Sequence, residues 1–117
     1  MDYAIINERT GGTVVERAAL LASPWARMKG LLGRRGLAPG EAVILRPCSS
    51  VHTAFMRFTL DVLYIDSERR VKKVVTSLKP FRASGARGAH EAVELAAGTL
   101  AGADLRVGDQ LTFRPNG

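Results

Sequence analysis

Leu60-Asp61-Val62-Leu63-Tyr64-Ile65, turned by Asp66-Ser67-Glu68-Arg69 into Val71–Ser77, is the stretch that decides how this chain folds. Six residues without glycine or proline, five of them apolar and several β-branched or aromatic, read as a strand. Because the apolar residues fall on both alternating faces, the strand is expected to be covered on both sides. The polar tetrapeptide after it is a turn, and Val71–Ser77 returns as the second strand of a hairpin. Side chains alternate along a strand, so Asp61 shares a face with Leu63 and Ile65, while Leu60, Val62 and Tyr64 share the other. A carboxylate among such neighbours is at least partly buried and needs a partner, for which Arg57 is the natural cation. Two readings stay open. Asp61 contacts a ligand, or it ties down backbone N–H groups or Arg57 at the strand entrance.

Upstream, Cys48 and His52 stand in a C-x3-H spacing. A nucleophile-base pair would need a third group to orient the imidazole, and a metal site would need three or four ligands. With one cysteine and two histidines in the chain, the spacing is too sparse for either. A small buried thiol and a hydrogen-bonding histidine are the expectation, with no catalytic residue, metal or cofactor assigned.

Outward from the centre, residues 3–7 and 13–17 are β-branched runs around Asn7 and Gly11-Gly12, a β-hairpin pattern. Ser23 and Pro24 are an N-cap and first-turn pair, and Trp25, Met28, Leu31 and Leu32 fall on one helical face, so a main helix is expected over about 24–35. Residues 42–45 form a short buried strand. Residues 79–90, aperiodic and rich in small residues, read as a long surface loop. Residues 91–95 form a strand, residues 99–105 a short late helix, and residues 110–113 the last strand, with Pro115-Asn116-Gly117 as a frayed tail. Strands outnumber helices without βαβ alternation. The fold class is therefore α+β: a single compact domain over 1–117 whose mostly antiparallel sheet has a barrel-like form as one option.

At 117 residues and 46% hydrophobic, the composition is that of a globular chain and excludes intrinsic disorder. No run approaches the roughly 18 apolar residues that span a bilayer. Met1-Asp2-Tyr3-Ala4-Ile5 lacks the basic and apolar regions of a signal peptide, so a cytoplasmic location is expected. Seventeen basic residues against eleven acidic give +6, a balance that attracts polyanions and also serves solubility. Arg69, Arg70, Lys72, Lys73, Lys79, Arg82 and Arg87 form a basic run with one aromatic, Phe81. That is poor for base stacking, so the run reads first as a solvated, aggregation-resistant edge.

Met28-Lys29-Gly30-Leu31-Leu32, Thr53-Ala54-Phe55-Met56-Arg57 with Leu60–Asp66, Glu94-Leu95-Ala96-Ala97-Gly98, and Gly108-Asp109 together resemble the small bacterial and archaeal family called domain of unknown function 192. The resemblance spans about residues 13–113. Many members carry Phe-Trp-Met-Lys-Asn-Thr before the Leu-Asp strand. Here Ala54-Phe55-Met56-Arg57 stands instead and the Asn-Thr pair is missing, so Met56, Arg57 and Asp61 carry over and a contact by that Asn does not. The resemblance implies a compact α+β domain with no established activity.

These readings converge on a small binding or accessory module. Its expected polar pocket is walled by His52, Thr53, Met56, Arg57 and Asp61 and takes a small polar ligand or a peptide. An enzyme using Asp61 with His52 for acid-base work and a basic RNA-binding adaptor are the alternatives, with nucleic acid not favoured.

Overall fold

The computed structural model describes residues 2–21, 37–53 and 58–116. Nine strands are found there: β1 (Asp2–Asn7), β2 (Thr13–Leu21), β3 (Glu41–Leu45), β4 (Ser50–His52), β5 (Leu60–Ile65), β6 (Val71–Leu78), β7 (Ala83–Gly85), β8 (Glu91–Ala96) and β9 (Leu111–Asn116). Seven form one sheet in the order β6-β5-β8-β3-β2-β1-β9, and β4 pairs with β7 in a second, two-stranded sheet. Every ladder of the large sheet is antiparallel except β2–β3, which is parallel. Parallel neighbours require a long crossover, and Leu21 and Glu41 are far enough apart along the chain to allow one.

The α+β expectation is corrected: among the described residues there is no helix. The late helix over 99–105 is instead a set of turns, held by Thr99 N–H to Ala96 O, Gly102 N–H to Gly98 O and Ala103 N–H to Leu100 O. The physical reason is length and composition. About two turns cannot repay helix nucleation, Gly102 interrupts them, and the Leu100 amide is drawn away to the Asp61 carboxylate. The helix expected over 24–35 lies outside the described residues. Nor is the sheet a closed barrel: its edge strands β6 and β9 meet only near a single bridge, Arg70 with Gln110.

β5 keeps its expected bounds, and all six of its residues are buried. Alternation sorts them onto two cores. Leu63 and Ile65 join Ile5, Val15, Ile44, Val93, Leu95 and Phe113 on a first face. Leu60, Val62 and Tyr64 join Val43, Leu45, Ala92, Cys48 and Val51 on the second. Fully burying an aliphatic or aromatic side chain contributes roughly 1.5–3 kcal/mol, so β5 is the strand both cores depend on. The 79–90 segment is not the featureless loop expected, because residues 83–85 pair with residues 50–52. This small sheet lies over the second face, where Val51 enters the core and the Tyr64 hydroxyl meets Ser84 Oγ at 2.6 Å. The tail is not frayed either. Pro115 and Asn116 pair with Tyr3 and Asp2, and a proline is tolerated there because β9 is an edge strand.

Candidate functional site

Asp61 is fully buried, on the first face as its place in the alternation requires. One carboxylate oxygen accepts from the Ser77 amide at 2.9 Å and the other from the Leu100 amide at 2.9 Å. The carboxylate therefore fastens the end of β6 and the turn after β8 to β5. His52 ends β4 of the small sheet over the opposite face and Thr53 follows it, so the structure does not bring Asp61 and His52 into one cleft. Met56 and Arg57 lie outside the described residues.

Cys48 is a free, buried thiol. Its Sγ donates to Ser50 O at 3.0 Å, and its backbone amide donates to His90 O. The thiol packs in the same cluster as Val51, whereas His52, the next residue along β4, is exposed on the other side of that strand. Among the described residues no group of three His, Cys, Asp or Glu side chains is clustered to hold a metal ion.

Thr53 organises what is next to it. Only 1% exposed, it accepts the Phe81 amide on its carbonyl at 2.9 Å and donates its own amide to Arg82 O at 2.8 Å. Its hydroxyl donates to Lys79 O at 2.6 Å and accepts the Arg82 amide at 2.9 Å. These four bonds fix the turn over 79–82. At its apex Phe81 has φ +61° and is 71% exposed, between Lys79 and Arg82. His52 pairs with Ala83 at the adjoining end of the small sheet. The positive surface continues onto β6 and the loop after β7: Lys73 Nζ donates to Gly85 O at 3.0 Å, and the Lys72 chain end passes Gly88. Burial pushes the Tyr64 phenol under this sheet above its usual pKa, an effect its hydrogen bond with Ser84 opposes.

Phe81 was not singled out from the sequence as a site residue. Its only signal was an aromatic in an otherwise small and polar segment, and the left-handed backbone that presents it has no sequence signature in a phenylalanine. Two other buried acids, Glu91 and Asp109, have structural duties. Glu91 is paired through one oxygen with Arg46 and lies 3.5 Å through the other from Arg69, whose guanidinium stacks 3.9 Å over the Phe113 ring. Asp109 accepts from Arg9 Nε at 2.8 Å, from Asn7 Nδ2 at 3.0 Å and from the Arg106 amide at 2.8 Å.

Two solved structures share this fold. One is described as a "putative transcription regulator" from Sinorhizobium meliloti 1021, with TM-score 0.81 and 23% identity over 96% of this chain and 92% of that one. The other is a protein of unknown function from Novosphingobium aromaticivorans DSM 12444, with TM-score 0.80 and 21% identity over 96% of this chain and 84% of that one. At such identities the likeness concerns the fold alone. Among curated proteins none matches this chain. The DUF192 family model, described as Uncharacterized ACR, matches residues 5–113, and the chain belongs to that family.

Proposed function

We propose that the protein is a non-catalytic binding module that docks an acidic peptide segment of a partner protein on the face formed by His52 and the 79–82 turn. The observation that carries this reading is Phe81, exposed and held in the left-handed region. That backbone costs a residue with a side chain about 1–2 kcal/mol, and an unburied phenyl forgoes roughly another 1.5–3 kcal/mol. Strain of this kind persists where the surroundings over-determine it, and the Thr53 bonds supply that constraint. An apolar anchor between two cations complements a segment carrying carboxylates around one apolar side chain. Lys72, Lys73 and Arg87, all exposed, widen the positive field. Met56 and Arg57, the other residues expected at the pocket, follow Thr53 within four positions of the chain.

RNA fits less well, since one phenyl and one imidazole make a poor stacking platform. Acid-base catalysis by Asp61 with His52 would need a shared cleft, and the two stand on opposite faces of the sheet.

The test is fluorescence polarisation with a dye-labelled peptide of about a dozen residues, rich in Asp and Glu around one leucine, on wild type and on Phe81→Gly. Glycine relieves the left-handed strain, so the variant should melt no lower than wild type. Binding should be salt-sensitive and fall roughly tenfold in the variant, as for an interface anchor. Equal binding by the variant, or no binding by wild type, removes the proposal. Polyuridine RNA binding more tightly than the peptide, and indifferent to Phe81→Gly, would replace it with the RNA reading.

A further inference from the structure

A second surface, apart from the Phe81 face, is built by an irregularity in the β1–β2 ladder. Tyr3 pairs with Ala18 and Ile5 with Val15, so the single residue Ala4 faces two residues of β2, Glu16 and Arg17. A second register shift follows between Ile5 and Ile6. Strict alternation would send Val14 and Val15 to opposite faces. Instead both enter the first core, and Glu16 and Arg17 are both left exposed. Bulges re-aim side chains in this way, and they recur beside binding sites.

On the other side of Ala4, β9 places Arg114 directly across the ladder. Ala4 and Arg114 alternate with Ile5 and Phe113, so they face away from the first core. The three strands lie roughly 4.8 Å apart, which sets Arg17 and Arg114 astride the small, buried Ala4. A cavity of about 580 Å³ opens there, rimmed by Gly40, Asn116 and a second carboxylate, Glu41, among others; Glu41 is engaged by an interaction of its own. Its volume lies within the roughly 300–1,000 Å³ of small-molecule sites. The rim is tied: Arg17 N–H donates to Gly40 O at 3.0 Å, and Asn116 Nδ2 donates to Glu16 O at 2.8 Å.

The free charges of this cavity, unlike those of Arg82 and Arg87 on the 79–90 segment, include both signs. Arg9, Arg46, Arg69, Arg70 and Arg106 each pair with a carboxylate. Among the described residues, Arg17, Arg114 and Glu16 enter no ion pair. Two guanidinium groups flanking a shallow floor suit a carboxylate, which arginine binds through paired N–H donors. Glu16, beside Arg17 on the same bulge, repels a simple anion and accepts a cationic group instead.

We propose that this cavity seats a small zwitterion of the α-amino acid class, its carboxylate held by Arg17 and Arg114 and its ammonium by Glu16. The spacing favours one compact molecule carrying both charges, because Glu16 and Arg17 are consecutive. The hypothesis is independent of the peptide-docking face, and Phe81→Gly leaves it untouched.

The experiment is titration of the ¹⁵N-labelled protein with L-alanine, L-leucine and L-glutamate, with N-acetyl-alanine and alanine amide as one-ended controls. Saturable amide shifts are expected at Ala4, Arg17, Gly40 and Arg114 with at least one of the three amino acids. Both controls, each lacking one of the two charges, should bind roughly two- to fivefold more weakly, the loss of one solvent-exposed ion pair. Arg114→Gln, a change at an exposed edge position, should weaken binding by a similar factor without lowering the melting temperature. The proposal is overturned if none of the three amino acids gives saturable shifts, if N-acetyl-alanine binds as well as alanine, or if Arg114→Gln binds unchanged.

Discussion

At the scale of single residues, Asp61 carries the clearest energetic consequence. Both of its oxygens are buried and each accepts a backbone amide. Asp61→Asn keeps the shape but turns one acceptor into a donor facing another donor. A buried polar group left unsatisfied costs roughly 1–3 kcal/mol, so urea denaturation should show a loss of about that size. Asp61→Ala strands both amides and should cost more than Asp61→Asn. A change within about 0.5 kcal/mol for Asp61→Asn, the range of ordinary surface substitutions, would contradict the anchoring role. Alternation alone correctly put this aspartate with Leu63 and Ile65. Its partners were not legible, because Ser77 and Leu100 are distant in sequence and donate through backbone groups that every residue has.

Among elements, the small β4–β7 sheet is the one whose rigidity decides how Phe81 is presented. Thr53 is its clamp. Thr53→Val keeps the volume but removes the hydroxyl that bridges Lys79 O and the Arg82 amide. The expected result is a destabilisation of roughly 1–3 kcal/mol, with faster hydrogen exchange at the Phe81 and Arg82 amides. Thr53→Ser should restore most of the protection. Equal exchange in Thr53→Val and wild type would mean that the turn holds its shape by other means. Nothing in residues 79–90 announced this sheet, since strands of three residues carry too little periodicity to be read. The bulge in β2 was half visible: Val14-Val15-Glu16-Arg17 breaks alternation, but only the pairing with β1 shows where the extra residue sits.

Across the whole molecule, the β9 end of the sheet depends on joining the first strand to the last. β1 lies between β2 and β9, and a polar latch secures that junction. Asn7 and Arg9 reach from the β1 turn to Asp109, just ahead of β9, and also to Asp104. Hydrogen bonding from Arg9 holds the Asp109 carboxyl well below the usual carboxylate range, at about 2, against an opposing contribution from burial. A carboxyl whose pKa is depressed by folding stabilises the folded state fully above its unfolded value, roughly 3.9. That stability is lost as pH falls toward the folded value. Asp109→Asn should therefore lower the urea midpoint at pH 6, with the gap to wild type shrinking below about pH 4 and nearly closed by about pH 2. A gap that is the same at pH 6 and pH 2 would show that the latch does not act through this ionisation.

The sequence by itself determined the local matters. β5 and its turn into β6, the β1–β2 hairpin, the burial of β3 and β8 and the face on which Asp61 lies all follow from periodicity and turn chemistry between near neighbours. It also carried the family, through four short motifs in order. Only the tertiary structure decided that residues 99–105 remain turns, that the C-terminal tail is a paired strand and that the sheet stays open. It likewise decided that Asp61 and His52 face apart and that Phe81 and the Glu16–Arg17 bulge stand at the surface. The reason is physical. Each of those outcomes depends on which backbone groups, far apart along the chain, satisfy one another's hydrogen bonds, and side-chain periodicity holds no record of that choice.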